Sequence, residues 1–309
     1  MPNKPLSRQH CYVQANGLQL AYDEFGAPKD PAIILIMGLG TQMIGWPVSF
    51  CENLATLGFR VIRFDNRDIG LSEKLHNSGT PNLIKIALRT KLGLESKVPY
   101  RLHDMAIDTI GVMDALDIDV AHLVGISMGG MIAQTVAGHF PSRTLSLTSI
   151  MSSSGHRSLP GASMKVTRQV FKRAGRENQE EYIHRVMKTW RLIGSPRYPL
   201  SDEALRDKIL MSYHRSYYPA GASRHATAIV ASGDRVALLK TIQAPTLVIH
   251  GRDDLLVPVE CGIDTAKHVN NAQLQLIDGM GHNLPEPLLP KFAEMITWHA
   301  RAAASEGRM

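Results

Sequence analysis

The chain has 309 residues, 44% of them hydrophobic and 20% charged, with a formal net charge of +6. That balance excludes a disordered or fibrous chain and fits a soluble globular protein with a large core. The longest apolar run, Ala32 to Met37, is far short of the roughly 20 residues of a membrane span. Met1 to Pro5 lacks an apolar signal core, so a cytosolic protein is expected. Cys11, Cys51 and Cys261 are odd in number and widely spaced, which fits buried free thiols better than a disulfide framework or a zinc site. No nucleic-acid module, repeat or low-complexity tract is present. The positive charge is uneven: residues 155–240 carry 16 Lys/Arg against 7 Asp/Glu, and residues 81–101 carry 5 against 1, leaving the rest net negative.

In chain order, His10 to Ala15 and Leu18 to Phe25 read as strands joined by Asn16-Gly17, a favoured two-residue hairpin turn. Ala32 to Met37 is a continuous apolar strand of the doubly buried kind. A helix over Pro47 to Leu57 ends at Gly58, and Phe59 to Phe64 is the next strand. Pro81 to Arg101 is longer than a connection requires and mixes leucine and isoleucine with lysine and arginine. It is expected to form a helix that either packs on the body or joins a cap over an acyl pocket. Asp104 to Leu116 has helical periodicity with Asp104 as its cap. Ala121 to Val124 is a strand, Met131 to Ala137 a helix, and Leu145 to Met151 a further strand. Between Ser154 and Lys240 the alternation stops, and helices are expected over Met164 to Ala174, Glu180 to Ile193 and Asp202 to Tyr213. Strands at Pro245 to His250 and Leu274 to Ile277 and a helix from Pro287 to Ala304 close the chain. The pattern predicts an α/β protein with a mostly parallel, eight-stranded sheet and helices on both faces. Residues 1–154 and 241–309 form its core, and residues 155–240 a helical cap over the carboxyl edge of the sheet, inserted before the penultimate strand.

The most informative stretch is Gly125-Ile126-Ser127-Met128-Gly129, lying between a strand and a helix. A serine on such a turn is held in strained geometry with its hydroxyl exposed, and the flanking glycines let strand and helix approach. Ser127 is therefore the candidate nucleophile. A serine hydroxyl needs a base, itself oriented by a third group. His282, on the turn Gly279-Met280-Gly281-His282 just past the last strand, is the candidate base. His250 ends a strand and either lines the site or is packed, and His122, His139 and His268 read as structural or solvent-facing. Asp253 and Asp254 follow the penultimate strand. Neighbouring side chains point apart, so only one can support the imidazole; Asp254 is favoured, leaving Asp253 to solvent or to the turn. No acid follows the strand ending at Met151, where Ser152 to Ser154 stand. An oxyanion site would take the N–H of Met128 at the helix N-terminus and that of Leu39 in the glycine-rich loop Met37-Gly38-Leu39-Gly40.

Taken together these residues resemble the α/β-hydrolase superfamily, from about Ala15 to Ala300, with the triad in the order Ser, Asp, His. Phe64 to Ser72 is similar to the superfamily's Asp-x-Arg-Gly-x-Gly-x-Ser turn, with Asp68 at the usual glycine. The resemblance implies that Asp65 and Arg67 brace the site from behind, with Gly38 in the loop that usually begins His-Gly but here begins Met-Gly. Gly45-Trp46-Pro47, Asn66-Arg67-Asp68 and Gly279 to His282 are most similar to the aclacinomycin-methylesterase branch. The resemblance implies hydrolysis of small to medium carboxylic esters through an acyl-serine, with no metal or organic cofactor, no nucleic-acid partner and an unspecified oligomeric state. Proline iminopeptidases, carbon–carbon bond hydrolases and cofactor-free perhydrolases share this machinery. Dehalogenases and epoxide hydrolases need a carboxylate where Ser127 stands. A non-catalytic receptor on the same fold is the alternative of another class.

Overall fold

The computed structural model describes residues 7–171 and 177–306. Its strands are β1 (Ser7–Ala15), β2 (Leu18–Phe25), β3 (Ala32–Ile36), β4 (Arg60–Phe64), β5 (Ala121–Ile126), β6 (Thr144–Ile150), β7 (Thr246–Gly251) and β8 (Gln273–Ile277). They form one sheet in the order β1-β2-β4-β3-β5-β6-β7-β8. The β1–β2 hairpin turns through Asn16 and Gly17, both at positive φ, and β2 pairs antiparallel with β4. From β4 onward every pairing is parallel.

Helices α1 (Val48–Thr56), α2 (Leu83–Lys91), α3 (Leu102–Ala115) and α4 (Met128–His139) precede β6. After it come α5 (Met164–Val170), α6 (Gln179–Ile193), α7 (Asp202–Arg215), α8 (Pro219–Ser232) and α9 (Val236–Leu239), then α10 (Val259–His268) and α11 (Leu289–Glu306) around the last strand. Alternate side chains of the central strands feed two cores. Ile34, Ile36, Ile62 and Leu123 pack with α3 and α4, while Ile33, Leu35, Val61 and Val124 pack with α1 and α11. This two-sided burial explains the unbroken apolar run of β3. Among the described residues, no helix is long and apolar enough to cross a membrane.

Three details differ from the sequence reading. Helix α3 begins at Leu102, so Asp104 sits in its first turn rather than before it; its carboxylate accepts the Arg101 N–H at 2.7 Å. Helices α8, α9 and α10 have no counterpart among the expected elements. Pro219, taken as punctuation, is the first residue of α8, where its missing N–H costs nothing. The helix expected over Met164 to Ala174 is present to Val170; residues 172–174 lie outside the described residues.

The helical block divides in two. Helices α6 and α7 share a small cluster of their own around Ile183, Leu205 and Ile209. By contrast, Ala228 of α8 and Leu239 of α9 join the main core on the α3–α4 side. Helix α2 packs on α8.

Candidate functional site

Ser127 sits between β5 and α4 with φ 55° and ψ −118°, a backbone region that costs energy for any residue with a Cβ. The turn is held from outside: the Ser127 N–H donates to Ile150 O at 2.9 Å, and Ser152 Oγ donates to Ser127 O at 2.8 Å. The glycines at 125 and 129 are required by contact. A Cβ on Gly125 would stand 2.1 Å from Gly129 O, and one on Gly129 would stand 2.1 Å from Ile36 O.

The structure brings Ser127, His282 and Asp254 into one hydrogen-bonded line. His282 Nε2 lies 3.0 Å from Ser127 Oγ, and His282 Nδ1 lies 2.7 Å from Asp254 Oδ2. An ionised carboxylate only accepts, so Nδ1 carries the proton and Nε2 turns its lone pair toward the serine hydroxyl. Asp254 is buried, and its other oxygen, Oδ1, accepts the N–H groups of Leu256 and Val257 at 2.9 and 2.8 Å. That division leaves Oδ2 for the imidazole. Asp253 is exposed and accepts the Gly279 N–H at 2.8 Å, so it fastens the turn that carries His282. His250 is fully buried behind the acid, with Nε2 donating to Val257 O at 2.8 Å and lying 3.7 Å from Asp254 Oδ2; burial lowers its pKa. His122 is also buried, 2.8 Å from Ser146 Oγ.

Loop 37–43 meets the serine from the β3 side. A Cβ on Gly38 would come within 3.3 Å of Ser127 Cβ. Met128 opens α4, so its N–H has no acceptor within the helix. Leu39 follows Gly38 and is half-buried. Asn66 Nδ2 donates to Met37 O at 3.0 Å and holds the start of this loop. Asp65 holds its far end, accepting Met43 N–H at 2.7 Å and Leu71 N–H at 2.8 Å. Arg67 points away, in a bidentate pair with Asp108 of α3 at 2.5 Å for each contact. It therefore ties the Asp65–Ser72 turn to the scaffold without reaching the serine.

Several residues that sequence reasoning passed over complete the surroundings. Residues of the helical block brace the His282 turn: His282 N–H donates to Ile193 O at 2.7 Å, Gly281 N–H to Ser195 Oγ at 2.9 Å, and Asn283 Oδ1 accepts from Ser195 N and Oγ. Gly281 is needed because a Cβ there would stand 2.4 Å from Gly194 O. On the opposite side His225 of α8 accepts the Gly40 N–H at Nδ1 (3.2 Å) and bonds Arg67 O through Nε2 (2.8 Å). Both contacts require the same neutral tautomer, and burial pushes its pKa down to about 4. Arg215 of α7 reaches Gln42 Oε1 at 2.6 Å and Asp65 Oδ2 at 2.7 Å.

Asp68, standing where the superfamily turn has glycine, adopts φ 68°. Its two carboxylate oxygens take Nη2 and Nε of Arg224, from α8, at 2.7 and 2.8 Å, with both side chains fully buried. Burial alone would raise the Asp68 pKa, yet the guanidinium and the Leu75 N–H hold it below the ordinary value.

Comparison with known proteins agrees with this architecture. A family model described as alpha/beta hydrolase fold matches residues 31–286. Rhodomycin D methylesterase from Streptomyces peucetius is 27% identical over 98% of this chain and 99% of its own length. A 2-hydroxy-6-oxononadienedioate/2-hydroxy-6-oxononatrienedioate hydrolase from Cupriavidus pinatubonensis is 28% identical over 81% of this chain and 80% of its own. Among solved structures, a meta-cleavage product hydrolase from Pseudomonas fluorescens superposes with a TM-score of 0.74 at 21% identity, covering 95% of this chain and 98% of that one, a likeness of fold. Since the family model spans most of the sequence, the chain belongs to the alpha/beta hydrolase fold family.

Proposed function

We propose that this protein is a serine esterase that cleaves small to medium carboxylic esters through an acyl-serine intermediate. The observation that carries the reading is the continuous contact from Ser127 Oγ through His282 to Asp254, at 3.0 and 2.7 Å. In the first half-reaction Ser127 Oγ attacks the ester carbonyl while His282 Nε2 takes its proton and then delivers it to the leaving alcohol. In the second, water attacks the acyl-serine, and the same nitrogen takes the water's proton and returns it to Ser127. Asp254 fixes the imidazole tautomer and stabilises the imidazolium formed in each half. The N–H groups of Met128 and Leu39 receive the negative charge on the carbonyl oxygen, the former strengthened by its place at the N-terminus of α4. Each proton transfer is carried by the chain's own groups, so the reading uses no metal or organic cofactor.

The similarity to a methylesterase over nearly the full length supports ester substrates. Similarity to dienoate hydrolases supports a second reading, carbon–carbon bond cleavage by the same three residues. Side-by-side turnover of a short p-nitrophenyl ester, a 2-hydroxy-6-oxodienoate and a proline anilide separates esterase, carbon–carbon hydrolase and peptidase. Labelling by a fluorophosphonate, present in the native protein and absent in Ser127→Ala, tests the nucleophile directly. Native protein that neither turns over any of these substrates nor takes the label would be a receptor rather than an enzyme.

A further inference from the structure

Helix α2 and the turn after it leave an apolar stripe in solvent. Ile84, Leu88 and Leu92, spaced four residues apart and so on one face, are 81%, 59% and 64% exposed, and Leu94 is 50% exposed. Only Ile86 of this helix is buried. Single exposed leucines are ordinary, whereas three large apolar residues on one face with a fourth in the turn just beyond point to a contact surface.

The charges around the stripe indicate its partner. Lys85 and Lys91 are exposed and border it, one on each side at 100° per residue, and exposed Lys97 follows. Arg89 turns away, donating through Nε and Nη2 to Glu95 O. Glu95, the one acid between Pro81 and Arg101, lies 3.4 Å from Arg101. The surface thus combines an apolar ridge with ammonium groups on flexible stems that pair with no carboxylate among the described residues. Such stems can lie along hydrocarbon while their charges reach anionic headgroups. A two-fold contact with a second copy would set these lysines against themselves.

We propose that α2, with Leu92 and Leu94, docks onto an anionic lipid surface, Ile84, Leu88 and Leu92 entering the headgroup boundary and Lys85, Lys91 and Lys97 pairing with lipid phosphates. The proposal is independent of the hydrolytic reading. Because α2 packs on α8, whose His225 bonds the Gly40 amide, docking would hold the side of the molecule bearing loop 37–43 near the lipid.

The experiment is co-sedimentation of the full chain with vesicles of phosphatidylcholine alone and of phosphatidylcholine mixed with phosphatidylglycerol, at low and high salt. Binding is expected to the mixed vesicles, about tenfold or more above the neutral ones, and to weaken with salt. Ile84→Ser/Leu88→Ser and Lys85→Glu/Lys91→Glu should each lose about tenfold or more, while thermal unfolding and turnover of a soluble short ester stay unchanged. In Leu88→Trp, the added emission should shift to the blue with mixed vesicles only. Absence of binding, equal binding to both vesicles, or binding that survives both double variants would overturn the proposal. So would a lipid-free dimer that Ile84→Ser/Leu88→Ser dissolves, which would give the face to a second copy.

Discussion

Around Ser127 the chain is held mainly by backbone, whereas the helical block is joined to the site mainly by side chains, the backbone bond from His282 N–H to Ile193 O being an exception. The Ser127 turn depends on a main-chain bond to β6, on glycines with no room for a Cβ, and on strands buried on both faces. The helical block grips the site through long polar side chains: Arg224 on Asp68, Arg215 on Asp65 and Gln42, His225 on Gly40, Ser195 on Asn283. Backbone constraint of the first kind fixes the position of a reacting group. Pairs of the second kind make loop 37–43 and the His282 turn dependent on where the helices sit. Two of the arginines in residues 155–240 thus have a structural use, since Arg215 and Arg224 pair with buried carboxylates of the sheet half.

The largest effects are expected in the first region. Ser127→Ala and His282→Ala should each lower ester turnover by several powers of ten without unfolding the protein, because groups that act as a unit fail together. Asp254→Asn should cost about 10⁴-fold in kcat by favouring the wrong imidazole tautomer. Asp253→Asn keeps an acceptor for the Gly279 N–H and should stay within a few-fold of the native rate. If the two aspartate variants exchanged these phenotypes, the assignment of the acid would be reversed.

The second region should respond in stability before rate. Arg224→Met leaves the Asp68 carboxylate buried without its partner, a loss of about 3–5 kcal/mol by analogy with other broken buried pairs, measurable by urea unfolding. Asp68→Gly should also destabilise, although glycine suits φ 68° better, because it strands the guanidinium instead. The double variant Asp68→Gly/Arg224→Met should recover much of the loss. Additive losses would mean that the pair is not what holds α8 to this turn.

The same division explains what the sequence discloses. Ser127 can be singled out because strand, turn and helix are contiguous, and the glycines needed by the close approach stand two residues on either side. The turns of Asp254 and His282 follow apolar strands that announce themselves; alternation of side chains says that only one of Asp253 and Asp254 can face the imidazole, but not which. Helix α8 escapes notice because Gly221, Arg224, His225 and Thr227 are among its buried residues, so the apolar periodicity that reveals α3 is missing. The clamps are equally hidden: Gly40 and His225 lie 185 residues apart, and Ser195 and Asn283 lie 88 apart. No local spacing connects them. Asp68 does leave a trace, as a residue out of place in a turn that otherwise follows a known pattern.

Acid should weaken both regions through histidines kept neutral by burial. Burial lowers the pKa values of His225 and His122 to about 4, and lowers that of His250 as well. An unfolded chain takes up these protons near pH 6.5, while the native state resists until about pH 4 for the first two. Their contribution is therefore constant above pH 6.5 and declines as pH falls toward 4, by up to about 1.4 kcal/mol per pH unit for each histidine. Urea unfolding at several pH values measures the slope. His225→Gln should reduce it by the share of one group, and an unchanged slope would show that His225 is already charged in the native state.

The smallest effect expected is the most specific test of coupling between the regions. His225 touches no reacting group, yet it accepts the N–H of Gly40, next to Leu39, whose own N–H is proposed to receive the oxyanion. Losing that acceptor should let the loop relax and weaken a contact made in the transition state more than in the ground state. His225→Ala should then lower kcat by about tenfold, the equivalent of 1.4 kcal/mol, with KM nearly unchanged. His225→Gln, whose carboxamide can accept from Gly40 while its NH₂ donates to Arg67 O, should restore most of the rate. A purely structural role would instead lower the amount of folded enzyme, leaving kcat per active site as in the native protein, and a count of fluorophosphonate-labelled sites distinguishes the two outcomes.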